Sequence, residues 1–221
     1  MGADRFATFD CYGTLIDWNG GLQTTLARLF GAADADALLR RYHELEPVVE
    51  AERYRTYRDV LDLVTGMLAT ERGEPLAAAN ATAMSESLAD WPAFPEVPAA
   101  LAEARSRGWR LVILSNCDRD LIAGSVPKLG VDFADVIVAE DVGSYKPAPG
   151  HWRRFGERHP DAAGRHVHVG ASRFHDIAPA SDLGLPSIWI NRLGEPADPR
   201  ADAELTELSG LPDALDDLLP A

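Results

Sequence analysis

Five short runs, at residues 6–9, 110–114, 136–139, 166–169 and 187–190, are apolar and rich in β-branched or aromatic side chains, with stretches of helical periodicity between them. Strands buried on both faces read as unbroken apolar runs of this kind, and strands alternating with helices build right-handed βαβ units. The chain is therefore expected to be an α/β protein whose core is a doubly wound, Rossmann-like parallel sheet. Ligands in such sheets bind beyond the carboxyl ends of the strands, so the residues that follow each run carry the functional information. The pattern changes between residues 17 and 92. Leu22, Leu26, Leu29 and Phe30 fall on one helical face there, and Tyr57, Val60, Leu61, Val64 and Leu68 on another. This predicts an all-helical cap, residues 17–92, inserted into a core made of 1–16 and 93–221. Trp91-Pro92-Ala93-Phe94-Pro95 would bring the chain back, its prolines ending the preceding helix. Leu208, Leu211, Leu215 and Leu218 predict a final packing helix.

The residues beyond the runs form a consistent set. The first run leads into Asp10-Cys11-Tyr12-Gly13-Thr14, the second into Ser115-Asn116, the third toward Tyr145-Lys146-Pro147, and the fourth into Ala171-Ser172-Arg173-Phe174-His175-Asp176. A parallel sheet would bring all of them to one rim. A lone carboxylate at a strand end, beside a glycine turn and a threonine, is a candidate nucleophile, and Thr14 could fix Asp10 by a hydrogen bond or simply cap the turn. Of the 21 basic residues only Lys128 and Lys146 are lysines. A lysine kept at 146 in so arginine-biased a chain suggests a need for a compact ammonium, which the planar guanidinium does not reproduce. On that reasoning Lys146→Arg is expected to impair turnover with little effect on stability, and Lys128 reads as chance.

A net charge of -14 disfavours broad contact with nucleic acid or anionic membrane, and points to a small-molecule substrate. No apolar run approaches the length needed to span a bilayer, and the two cysteines, Cys11 and Cys117, suit a reducing compartment, so a cytoplasmic location is expected. A homodimer is left open. His166 and His168 alternate along a strand and share a face, without the further His or Cys that a metal site needs.

With these motifs in this order, the chain resembles the haloacid dehalogenase superfamily over nearly its whole length. Asp10-x-Tyr12-Gly13-Thr14-Leu15-x-Asp17, Leu114-Ser115-Asn116, Tyr145-Lys146-Pro147 and Trp189-Ile190-Asn191-Arg192 look most like the L-2-haloacid dehalogenases. The resemblance implies hydrolysis of a short 2-haloalkanoic acid through an aspartyl ester on Asp10, with no cofactor. In those enzymes Lys146 would keep the nucleophile ionised, Asp176 would orient or activate water, and Ser115 with Asn116 would hold the substrate carboxylate. Tyr12, Ser172 and Arg173 would complete the binding site. A halide-accepting arginine is expected early in the cap, where this chain has Arg40 and Arg41. Departures from the dehalogenase pattern are Arg173 in place of asparagine, Ala171 in place of serine and Trp152 in place of tyrosine. The phosphatase branch of the superfamily would place acids at 12 and 171 and hold magnesium with them. Asp10 and Asp176 set against Lys146 and Arg173 leave no formal charge to attract such an ion. A magnesium-dependent phosphatase and a binding protein with a degenerate site are the competing expectations.

Overall fold

The apolar runs become β1 (Arg5–Phe9), β2 (Trp109–Ser115), β3 (Asp135–Val138), β4 (His166–Gly170) and β5 (Ser187–Ile190) of a computed structural model that describes residues 4–221. All pair in parallel, and a short edge strand, β6 (Ala203–Leu205), joins β5 with Ile188 opposite Ala203, giving the order β3-β2-β1-β4-β5-β6. β6 escapes sequence reasoning because Ala-Glu-Leu has no β-branched residue, and its only reason to be extended is a long-range backbone partner. The strand order reverses about β1. After β1 the chain builds outward through β2 and β3, then crosses to β4 on the other side, so the crevice beyond β1, β2 and β4 is the topological switch point.

The insert is helical. It comprises α1 (Trp18–Phe30), α2 (Ala35–Glu52), α3 (Tyr57–Glu71) and the short α4 (Ala83–Ser87). Leu22, Leu26, Val60, Leu61, Val64 and Leu68, picked out by periodicity, are all buried. α1 starts where the Asp17 carboxylate accepts the Gly20 amide at 2.9 Å, and α3 where Thr56 caps Asp59. The chain then alternates through α5 (Val97–Ser106), α6 (Arg119–Ser125), α7 (Ala139–Val142), α8 (Gly150–Arg158), α9 (Ala178–Asp182) and α10 (Leu211–Leu218). No helix among the described residues is long and apolar enough to cross a membrane.

The two chain crossings between insert and core are tied together. Asp17 donates its amide to the Pro92 carbonyl at 2.8 Å, and Phe94 donates to Leu15 at 3.0 Å. Lys128 holds the same crossing from the core: its ammonium donates to the Trp91 carbonyl at 2.7 Å and to that of Ala89. The ammonium can serve two converging carbonyls where a planar fork would not fit as well, so Lys128 has a structural task. Core also meets cap at Asp118, whose carboxylate accepts the amides of Tyr57 and Arg58 at the start of α3. The Tyr145 hydroxyl donates to the Arg55 carbonyl at 2.9 Å. The cap is thus seated over the strand ends by directional bonds as well as by apolar packing. At its root, Gly21 lies against the Trp91 indole so closely that a Cβ would fall 2.3 Å from the ring. Gly21→Ala should therefore lower the urea midpoint, with a loss on the order of 1–3 kcal/mol from overpacking.

Candidate active site

Asp10, Lys146 and Asp176 meet beyond β1, β3 and β4. The Lys146 ammonium lies 3.0 Å from Asp10 Oδ1 and 2.6 Å from Asp176 Oδ1, and is 1% exposed. Each carboxylate has a second anchor. Thr14 donates to Asp10 Oδ2 at 2.8 Å while accepting the Ala171 amide, and the Ser172 amide donates to Asp176 Oδ2 at 3.1 Å. Gly170 permits the approach, since a Cβ there would lie 2.5 Å from the Asp176 carboxyl. The two acids are unequal. Burial, and then the neighbouring Asp176 charge, push the Asp10 carboxyl above its usual range against the pull of Lys146 and Thr14. Burial opposes ionisation of Asp176 as well, but Lys146 and His168 outweigh it and hold that carboxyl well below the usual range. Desolvation suits the Asp10 carboxylate to nucleophilic attack, and an ionised Asp176 can orient a water by accepting its hydrogen bond.

Behind this triad runs a buried chain of hydrogen bonds. His166 Nε2 lies 2.6 Å from Thr8 Oγ1, Thr8 Oγ1 lies 2.9 Å from His168 Nδ1, and His168 Nε2 lies 3.4 Å from Asp176 Oδ1. An ionised Asp176 only accepts, so His168 must carry hydrogen on Nε2. The shared face of the two histidines, legible from their alternation, thus serves to orient Asp176. Trp152 packs edge-on against His168 at 5.3 Å within a second apolar cluster, away from the substrate space.

Above the triad a cavity of about 720 Å³ opens between core and cap, lined by Asp10, Tyr12, Ser115, Asn116, Lys146, Ser172, Arg173 and Asp176 among the expected residues. Several of these are already engaged. The Asn116 side chain bonds both the carbonyl and the amide of Lys146, at 3.0 and 2.6 Å, so it positions the lysine backbone. Ser172 accepts the His175 amide, and the Tyr12 hydroxyl meets Ser125 at 3.0 Å. Arg173 donates to Asp198 at 3.1 Å. Ser115 is different: its hydroxyl is buried and has no partner.

The expectation for Arg40 and Arg41 needs correction. Arg40 is exposed, Arg41 is paired with Glu44 and Glu71 on the outer face of the cap, and neither lines the cavity. α2 turns His43, Glu46, Pro47 and Glu50 inward instead, the i, i+3, i+4, i+7 stripe that helical geometry dictates. Of the cap aromatics near α2, Trp18 lines the cavity and stacks on His43 at 5.0 Å, whereas Tyr42 is core. Burial pushes Glu46 up to about 7, and burial with repulsion from Glu46 pushes Glu50 up to about 8. Sequence reasoning passed over both because a glutamate on a helix is ordinarily solvated.

Magnesium does not fit these donors. The Oδ1 atoms of Asp10 and Asp176 share the Lys146 ammonium, their Oδ2 atoms hold Thr14 and Ser172, and positions 12 and 171 carry no carboxylate. Among the described residues no three His, Cys, Asp or Glu side chains converge on a common cation position.

A family model described as haloacid dehalogenase-like hydrolase matches residues 5–184. The chain belongs to this family. Within the haloacid dehalogenase-like hydrolases it is similar to a phosphoserine phosphatase of Thermus thermophilus, at 32% identity over 81% of this chain and 72% of the relative. It is also similar to (S)-2-haloacid dehalogenase 1 of a Pseudomonas species, at 26% identity over 96% of both chains. The crystal structure of an L-2-haloacid dehalogenase superposes with a TM-score of 0.85 at 25% identity, covering 97% of this chain and all of that one. The haloacid dehalogenase-like fold, with its Rossmann-like core and helical cap, is thus established, and with it the hydrolase class.

Lys146→Met would leave two carboxylates buried without their common counter-charge. It should destabilise the protein by roughly 3–5 kcal/mol in urea unfolding and abolish turnover. With so little space around the ammonium, Lys146→Arg should also lower stability, contrary to the expectation from sequence. The raised acids give a pH signature. Glu46 and Glu50 hold protons in the folded state that they release in the unfolded chain, so their contribution is full below pH 4.5 and is lost as pH rises toward 8. Unfolding free energy measured from pH 5 to 8.5 should fall over that range, and Glu50→Gln should flatten the slope.

Proposed function

We propose that this hydrolase releases halide from a short 2-haloalkanoic acid through a covalent ester on Asp10, without a metal. One observation carries the reading: the buried Lys146 ammonium bridges Asp10 and Asp176, so the protein itself supplies their common counter-charge. Further support comes from Tyr12 and Ala171, and from the dehalogenase likeness over the full length of the chain.

In this scheme Asp10 attacks C2 of the substrate, the carbon–halogen bond breaks with inversion, and the halide leaves with the bonding electrons. Thr14 and Lys146 hold the attacking carboxylate in place, and the free Ser115 hydroxyl is available to the substrate carboxylate. A water molecule then attacks the ester carbonyl carbon and gives its proton to Asp176. The tetrahedral intermediate collapses, the acyl carbon–oxygen bond breaks, the leaving alkoxide takes the proton from Asp176 and departs as the 2-hydroxy acid, and the second water proton passes to solvent, restoring the Asp10 carboxylate. Lys146 compensates charge throughout, so no step depends on an added ion.

The names of two curated relatives, phosphoserine phosphatase and ribulose-1,5-bisphosphate 5-phosphatase, favour phosphoester hydrolysis as the second reading. It would require a metal that these donors do not suit, and a leaving-group acid that Tyr12 does not supply at neutral pH, because burial raises its phenol pKa well above the ordinary value.

Purified protein in excess chelator should release chloride from racemic 2-chloropropionate, and Asp10→Asn should be slower by on the order of 10³-fold. In H₂¹⁸O the first turnover should place solvent oxygen in the Asp10 carboxyl group. Phosphate release that needs magnesium, with no chloride release, would instead establish the phosphatase reading.

A further inference from the structure

The cavity wall contributed by α2 is acidic. Six carboxylates line the space, those of Asp10, Asp17, Glu46, Glu50, Asp176 and Glu195, against four basic groups, Lys146, Arg173, Arg192 and Arg200. None of the four is free to balance α2. Lys146 is held between Asp10 and Asp176. Arg173 and Arg200 share Asp198, at 3.1 and 2.6 Å, and Arg192 pairs with Glu96 at 2.7 Å. Glu46 receives a hydrogen bond from the Tyr57 hydroxyl at 2.9 Å but meets no cation. Glu50 has a side chain only 11% exposed, and its nearest basic atom is His175 Nε2 at 3.9 Å. Burial lowers that imidazole to about 4, so it brings no charge at neutral pH.

Buried without a paired cation, the two glutamates are held toward their protonated forms, and a cationic group beside them would favour the ionised ones. The cavity shows a second unmet group, the buried Ser115 hydroxyl, which lines the same space and has no hydrogen-bond partner. The hydroxyl suits an anionic or polar end of a ligand near Asp10, and the glutamates suit a cationic end beneath the cap. We propose that Glu50, with Glu46 one helical turn before it, selects a substrate carrying an ammonium group remote from the reacting carbon. This specificity rests on the 2-haloacid reading: the substrate becomes a 2-haloacid whose tail ends in a primary amine. Asp17 accepts the Gly20 amide and Glu195 stands by Arg173, so the α2 glutamates are the carboxylates left for the tail, and an uncharged apolar tail would leave both buried without a counter-charge. A metal ion is a poorer occupant, because Glu46 is already held by Tyr57 and no three His, Cys, Asp or Glu side chains among the described residues converge on a cation position.

The test compares 6-amino-2-chlorohexanoate with 2-chlorohexanoate, which differ only in the terminal ammonium. The protein should release chloride from the amino compound with a kcat/KM about 10–100-fold higher, and Glu50→Gln, an isosteric change, should bring the ratio close to one. Equal rates for the two compounds, or an undiminished preference in Glu50→Gln, would overturn the proposal. Calorimetry on Asp10→Asn with 6-aminohexanoate and hexanoate separates this inference from the reaction it assumes. Tighter binding of 6-aminohexanoate that is lost when Glu50→Gln is added supports the ammonium site, even if neither chloro compound is turned over and the dehalogenation reading falls. Equal binding of the two acids overturns the ammonium site, whatever the chemistry.

Discussion

The site depends on one buried ammonium between two carboxylates. Lys146 is 1% exposed, and taking three charges out of water is costly unless every remaining valence is met. Here they are met: Asp10 by Thr14, Asp176 by the Ser172 amide and His168, and the lysine backbone by both ends of the Asn116 side chain. These groups come from three strands, Thr14 beyond β1, Asn116 beyond β2, and His168 and Ser172 in and beyond β4, so these strands must be paired before the charges can be compensated. The triad therefore links catalysis to the register of β1, β2 and β4.

The cap is held by a second set of directional contacts. Lys128 on the returning crossing and Asp118 at the start of α3 fix where the insert sits, and that placement decides which side of α2 looks down on Asp10. His43, Glu46 and Glu50 face inward, and Arg40 and Arg41 fall on the outer, solvated part of the same helix. A rotation of α2 by about 100°, one residue's worth, would replace this stripe with Glu44, Pro47, Val48 and Ala51 and take the Glu46 and Glu50 pair away from the substrate space.

Much of the fold could be read from the chain. The five buried strands, the helical character of residues 17–92 and the gathering of Asp10, Ser115, Lys146 and Asp176 follow from apolar runs and the polar residues that close them. Edge strand β6 could not be read, because it exists only through its pairing with β5. The functions of Asn116 and Ser172 were also hidden. Either side chain could equally bind a ligand or cap a turn, and only the position of the Lys146 and His175 backbones decides between the two.

What the sequence determined by itself is the set of residues at the strand ends: a strand-end aspartate, a lysine retained in an arginine-biased chain, and tyrosine and alanine at positions 12 and 171. Those are properties of residue identity and local order, and they hold wherever the cap lies. Tertiary structure alone decided the electrostatics of the substrate space. Whether a helical glutamate is solvated or buried depends on the angle at which its helix docks, and that angle is set by residues such as Asp118 and Lys128, distant in sequence from the glutamates they orient.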